Sequence, residues 1–240
     1  VMTHWRLMLA ENLTTLAVPQ TAYDLAARFA DRHELKVRAG DALHLAIAAR
    51  THCPSLHGPN LANSWNAAAW DSFRRLVFGA EMPTYGADAA AEDRLVPRTS
   101  RIRTFRPGTA RGRLLGGNLS VLSALVGTPF LPDFTGAILF LEDTNEAEYR
   151  IDRMLTQLAL SGILGKLAGV IFGQCTNCDN PGAGYGNFTI YEVLEQHLGK
   201  LGVPAFQGAA IGHIAGQQSM PVGIAAEIDA ATGTIRILEA

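Results

Sequence analysis

Several features that would place a chain quickly in a function class are scarce in these 240 residues. Only three cysteines occur, an odd and sparse set that argues against a disulfide scaffold and favours a reducing compartment. Lysine and arginine number 20 against 22 acids, without a dense basic run, so we expect no nucleic-acid partner. No apolar run approaches the roughly 18 residues of a membrane span.

A signal-peptide pattern is also not visible at the start, where the chain reads Val1-Met2 as a fragment would. We therefore expect a cytoplasmic protein that makes no membrane contact. The composition, 48% hydrophobic and 18% charged, is that of an ordinary globular protein. The length allows one large domain or two modest ones, each with its own core.

The most informative stretch is Gly136–Leu158. It opens with an apolar run, Ala137–Leu141, that predicts a buried strand, and Glu142 and Asp143 follow at once. The next apolar residues recur at spacings of three and four, which predicts a helix that either acid would cap. A strand that ends in a carboxylate and turns into a helix is where α/β proteins place their chemistry.

Further elements follow in the second half of the chain. Short apolar runs predict strands at Leu167–Gly173 and Pro204–Gln207, and an amphipathic pattern predicts a helix at Thr189–Lys200. A closing hairpin is predicted from strands at Val222–Asp229 and Thr234–Leu238. By contrast, Met82–Arg111 has weak periodicity and is interpreted as loops and an interdomain linker. We thus predict an α/β fold with two domains, residues 1–106 and 107–240.

Taken alone, the remaining chemical candidates are weak. Cys175 and Cys178 have CxxC spacing but no second pair, so we expect two free thiols and no zinc site. Asp41 precedes an apolar, alanine-rich run and is an ordinary helix N-cap. His213 is a lone histidine, a type that is more often structural than catalytic.

Three motifs together carry a resemblance to a known family. They are GRLLGGNLS at Gly112–Ser120, the stretch Gly136–Leu158, and GHIAGQQSMPVG at Gly212–Gly223, and an HGP turn at His57–Pro59 agrees with them. From about residue 42 or 57 to 240 the chain resembles the LD-carboxypeptidases. These are serine peptidases of peptidoglycan recycling that remove the terminal D-alanine of murein tetrapeptides, and microcin-immunity proteins are among their relatives.

The resemblance implies roles for individual residues. Glu142 would be the acid of a Ser-His-Glu triad and His213 its general base, because a carboxylate orients and stabilises an imidazole that moves a proton. His57, Gly58 and Asn118 are candidate substrate-cleft residues. The family implies a truncated Rossmann-like N-terminal domain before the C-terminal domain, no cofactor or metal, a small murein peptide as substrate, and a homodimer.

The nucleophile does not follow the family pattern. In the family, the serine lies in a Gly-Tyr-Ser-Asp elbow before a helix that resembles Ala42–Ile47, and aligning the two helices places that serine at Arg38. No serine occurs between Asp24 and Pro54. Ser55 and Ser64 are the nearest serines, without an elbow pattern around them. We expect a crippled carboxypeptidase or, alternatively, a non-catalytic protein that still binds peptides.

Residues 17–49 instead resemble the C-terminal half of a toxin-type PIN-domain nuclease, which leaves a PIN-like segment at residues 1–49. Asp41 would then stand where that family helps to bind a catalytic metal, but the other carboxylates that such a site needs are missing. A working nuclease is not expected, and a metal-dependent RNase fragment remains the third hypothesis. A gene fusion, a misassembled sequence or a degraded gene would each produce such a join.

Overall fold

The computed structural model describes residues 55–58, 66–77, 81–86, 102–178 and 188–238. Within these ranges the α-helices are α1 Ala67–Val77, α2 Leu119–Leu125, α3 Glu148–Leu160 and α4 Ile190–Leu198. The strands are β1 Ser55–His57, β2 Thr84–Tyr85, β3 Arg103–Arg106, β4 Thr109–Asn118, β5 Ile138–Thr144, β6 Gly169–Thr176, β7 Ala205–Gln207, β8 Met220–Val222, β9 Ala225–Asp229 and β10 Thr234–Ile237.

An eight-stranded sheet organises these elements, in the order β2-β10-β9-β4-β5-β6-β7-β3. Its centre, from β4 to β7, is parallel, whereas β9, β10, β2 and β3 join antiparallel. β4 is long enough to pair with β9 through its first half and with β5 through its second half. A separate two-stranded ladder joins β1 to β8.

The sheet separates two apolar clusters. On one face the helices α2, α3 and α4 bury residues such as Leu155 and Leu194 against the sheet. On the other face Phe140, Phe206 and Met220 belong to a second cluster. Because both faces of β5 are covered, its sequence is a continuous apolar run rather than an alternating one, as is usual for the central strand of a parallel sheet.

The predicted α/β class with a central sheet is confirmed. The strands predicted at Ala137–Leu141, Leu167–Gly173 and Pro204–Gln207 are present as β5, β6 and β7, and the helix predicted at Thr189–Lys200 is present as Ile190–Leu198. That helix begins with a capping box, in which Thr189 and Glu192 exchange side-chain and backbone hydrogen bonds. The closing hairpin is also present, although its strands are the shorter β9 and β10.

The interpretation of Met82–Arg111 as linker is wrong where the structure describes it. β2, β3 and the start of β4 fall there and pair with β10, β7 and β9. β2 and β3 are short edge strands, which pair on one side and need no apolar alternation. The sheet therefore draws strands from both sides of residue 107. The division at residues 106 and 107, with its Rossmann-like N-terminal domain, stays a prediction, and the PIN-like segment lies outside the described residues.

The two cysteines of the CxxC segment are joined, which corrects the expectation of free thiols. Cys175 and Cys178 form a disulfide with their Cα atoms 5.4 Å apart. Between them, Asn177 adopts a left-handed backbone conformation with a φ of 55°. Such a residue turns the chain sharply and brings the two sulfur atoms together.

Among the described helices, none is both long and apolar enough to cross a bilayer.

Candidate active site

Glu142 lies near the C-terminal end of β5, in the middle of the sheet. Glu142 pairs with Asn118 of the neighbouring strand β4 and is wholly buried. Strand side chains alternate between faces, so Glu142 shares a face with Phe140 whereas Asp143 points to the opposite face. Two adjacent carboxylates are thereby separated into different environments.

Asp143 connects β5 to the start of α2 instead of capping the helix that follows it. It accepts hydrogen bonds from the Ser120 backbone N–H at 3.0 Å, the Ser120 hydroxyl at 2.9 Å and the Asn118 amide at 3.1 Å. Burial raises the pKa of Asp143 above its ordinary value. The next helix, α3, starts after Ala147 without a side-chain cap, so the capping role predicted for Asp143 is wrong.

His213 comes to Glu142 from the loop that follows β7. Its Nδ1 lies 3.0 Å from Oε2 of Glu142. The histidine side chain is 48% exposed, whereas that of the glutamate is 1% exposed. In the tautomer with its proton on Nδ1, the ring donates to the buried carboxylate and retains a basic Nε2. This is the geometry in which a carboxylate orients a general base.

Gly212 allows the loop to approach this closely. Its φ is 116°, and an added Cβ would lie 3.1 Å from Oε2 of Glu142 and 3.2 Å from its Cβ. The strand β6 secures the same loop: Gln174 donates to the carbonyls of Gly208 and Ala209, and the Thr176 hydroxyl donates to the His213 carbonyl at 3.0 Å. A glycine is thus required directly before the histidine.

His57 approaches Glu142 at its other carboxylate oxygen. It ends β1, and its ring packs edge-on against Phe140 with centroids 5.6 Å apart. Its Nε2 lies 3.7 Å from Oε1 of Glu142. Gly117 lies beside the ring, since an added Cβ there would be at van der Waals distance, 3.5 Å from Nδ1 of His57. The structure therefore places two histidines around one buried carboxylate.

The other candidate residues have different surroundings. The Asn118 side chain is occupied structurally, since its oxygen accepts from the Val121 backbone N–H at 3.0 Å and its nitrogen donates to Asp143. Gly58 lies against Ser219, where an added Cβ would come within 3.1 Å of the serine Oγ. The predictions on Arg38, Asp41 and Ser64 fall outside the described residues.

Several described serine hydroxyls are directed at structural partners. Ser120 donates to Asp143, Ser123 to the Ser120 carbonyl and Ser161 to the Leu158 carbonyl. Ser219 is fully buried and differs from these: its hydroxyl has no hydrogen-bond partner among the described residues, while its backbone N–H donates to the Ser72 hydroxyl and its carbonyl accepts from Tyr85. Burial raises the pKa of Tyr85, which keeps this donor protonated.

Over the described ranges, no cluster of three or more histidine, cysteine or acidic side chains is arranged to hold a metal ion.

Reasoning from the sequence missed the residues that hold the site together. Gln174 and Thr176 are polar residues at the end of a strand, a position too common to single them out. Gly212 carried a usable signal, because a glycine directly before a candidate histidine indicates close backbone approach. The contact of His57 with Glu142 could not be foreseen, since 85 residues separate them in the chain.

Comparison with known proteins identifies the second half of the chain. Residues 111–228 match the LD-carboxypeptidase C-terminal domain. A probable murein peptide carboxypeptidase of Bacillus subtilis is 35% identical over 197 residues, which are 80% of this chain and 58% of that protein. The chain spans 56–59% of the length of three curated relatives that it matches over most of its own length.

Solved structures agree with this family. The muramoyltetrapeptide carboxypeptidase from Oxalobacter formigenes superposes with a TM-score of 0.65 at 25% identity, over 81% of this chain and 63% of that one. The wild-type apo form of the microcin C7 self-immunity protein MccF superposes with a TM-score of 0.64 over 98% of this chain and 70% of its own. Its 20% identity makes this a likeness of fold. Residues 111–228 thus belong to the LD-carboxypeptidase family, as a C-terminal domain of that family.

Proposed function

We propose that the site built around Glu142 and His213 is the acid–base half of a serine-type LD-carboxypeptidase. The reaction is hydrolysis of the amide that joins a terminal D-alanine to the L-centre of diaminopimelate in a murein tetrapeptide, a step of peptidoglycan recycling in the cytoplasm. The observation that carries the proposal is the 3.0 Å contact between Nδ1 of the exposed His213 and the buried carboxylate of Glu142.

Each group has a defined task in this reaction. The Nε2 atom of His213 would take the proton of an attacking hydroxyl and return it to the leaving D-alanine amine. Glu142 would hold the ring in the required tautomer and stabilise the imidazolium that forms. Because Glu142 is buried, water screens its charge less on the carboxylate side of the pair, whereas the half-exposed His213 ring stays in contact with solvent.

The nucleophile is the part that this chain lacks by sequence. The elbow serine of the family would fall at Arg38, and no serine lies between Asp24 and Pro54. In a serine-protease triad such as that of subtilisin, loss of the nucleophile alone can cost as much as loss of all three members, on the order of 10⁶ in turnover. We therefore propose that this chain retains a murein-peptide site with strongly reduced turnover.

The test is release of D-alanine from the tetrapeptide L-Ala-D-Glu-diaminopimelate-D-Ala, with binding of the same peptide measured by calorimetry. The chain is compared with His213→Ala and with His197→Ala, a matched control whose histidine instead pairs with Asp152 between α3 and α4. We expect peptide binding without measurable release from all three proteins. Absence of binding to the folded chain would overturn the proposed substrate class.

Release that is lost in His213→Ala and kept in His197→Ala would show a working triad. Its nucleophile would then be a serine elsewhere in the chain, since position 38 is an arginine. The proposed reduction in turnover would be wrong. Release that survives in both variants would show that His213 is not the base. Circular dichroism of the three proteins verifies that each is folded.

A further inference from the structure

The carboxylate of Glu142 has two oxygens in different surroundings. Oε2 is in contact with Nδ1 of His213. Oε1 is buried and accepts no hydrogen bond from the part of the chain that the structure describes. A buried carboxylate oxygen without a donor is costly, and a nearby group that can donate to it or neutralise it lowers that cost.

His57 is placed to do this. Its Nε2 lies 3.7 Å from Oε1, and its side chain is 19% exposed, so water screens the pair only in part. Its position is held by the ladder of β1 with β8 on one side and by the edge-on contact with Phe140 on the other.

We propose that His57 is a positioning residue: a second histidine on the same carboxylate, which holds Oε1 of Glu142 while His213 holds Oε2. The role in catalysis rests on the function proposed above, whereas the coupling of the two rings rests on their geometry alone. His57 sets the orientation of the carboxylate and competes with His213 for its negative charge.

The competition between the two histidines lowers the pKa of each ring. A proton on either ring is stabilised by the single charge of Glu142, and a proton on one ring disfavours a proton on the other. Asp143 is a further titratable side chain next to the carboxylate. It points to the opposite face, and burial, followed in smaller part by the charge of Glu142, raises the pKa of Asp143.

The experiment is an NMR titration of the histidine rings in the full chain, with His57→Phe as the main variant. Phenylalanine retains the ring that packs on Phe140 but has no nitrogen to face Glu142. We expect the pKa of His213 to rise by about half a unit to one unit, because its competitor is gone. A purely structural role for His57 would leave that titration in place.

Two further variants keep the test decisive. His57→Gln retains an amide donor near Oε1 without a titrating charge, and it is read in the same way if His57→Phe does not fold. His197→Gln alters the histidine that pairs with Asp152 on the helix side of the sheet, and it should leave the titration of His213 unchanged. A His213 titration that coincides in the unaltered chain and the folded His57 variants would overturn the proposal. The NMR titration needs no turnover. A negative result for His57 can therefore be told apart from a failure of the chain to bind or cleave the tetrapeptide.

Discussion

Replacement of Gly116 by alanine should destabilise the protein strongly, because β4 and β5 approach each other closely at this residue. Gly116 pairs with Phe140, and an added Cβ would lie 1.8 Å from the Phe140 carbonyl oxygen and 2.8 Å from its carbonyl carbon. The glycine also has a φ of 146°, which side-chain-bearing residues rarely adopt.

The expected magnitude follows from two costs. The backbone conformation alone costs about 1–3 kcal/mol for a residue other than glycine. Relief of the overlap must also part the two strands, and each ladder hydrogen bond that is lost removes about 1 kcal/mol. We therefore expect a loss of about 3–5 kcal/mol, a large share of the roughly 5–15 kcal/mol that is typical of folded domains.

The assay is urea unfolding followed by circular dichroism, with Gly165→Ala as the matched control. An added Cβ at Gly165 meets no atom within 4 Å, and its backbone is not left-handed, so we expect a change within about 0.5 kcal/mol. If the two variants unfold at the same urea concentration, the argument from close strand approach is refuted.

Three other outcomes are expected. Alkylation of the denatured, unreduced chain should modify one cysteine, Cys53, and alkylation after reduction should modify three; modification of all three without reductant would contradict the disulfide between Cys175 and Cys178. Asn118→Ala should cost about 1–2 kcal/mol in urea unfolding, because the cap of α2 and a donor to Asp143 are both lost, and an unchanged midpoint would count against this role. Burial raises the pKa of Asp143 above its ordinary 3.8 in the folded chain. Between these two pKa values the folded state therefore binds more protons than the unfolded state. The free energy of unfolding should therefore fall as the pH rises from about 3.8 through the pKa of Asp143 in the folded chain. Urea midpoints measured across this pH range should show the fall, and Asp143→Asn should remove the contribution of this residue.

The elements around the site could be predicted where the local pattern is strong. The strand Ile138–Thr144 and the helix Glu148–Leu160 follow from an apolar run and a helical period, and Ile190–Leu198 follows from its amphipathic pattern. β2 and β3 could not be predicted, because two to four residues at a sheet edge carry no periodicity. The bond between Cys175 and Cys178 depends on the left-handed backbone at Asn177, which sequence does not display.

The resemblance to a family supplied Glu142 and His213 and the expectation that the carboxylate orients the imidazole. It did not supply the contacts that bring the two residues together. Their contact depends on a loop that β6 holds through Gln174 and Thr176 and on a glycine that lets the loop approach. Such long-range placement is a property of the packed sheet rather than of any local segment.

The most direct test of this account is the NMR titration of His213 in the unaltered chain and in Glu142→Gln. Glutamine retains the shape of the side chain but removes the charge that would orient and stabilise the protonated ring. We expect the pKa of His213 to fall by about one unit or more in the variant, since a carboxylate in contact favours the protonated imidazole. An unchanged titration of His213 in the folded variant would contradict the claim that the two residues form an acid–base pair.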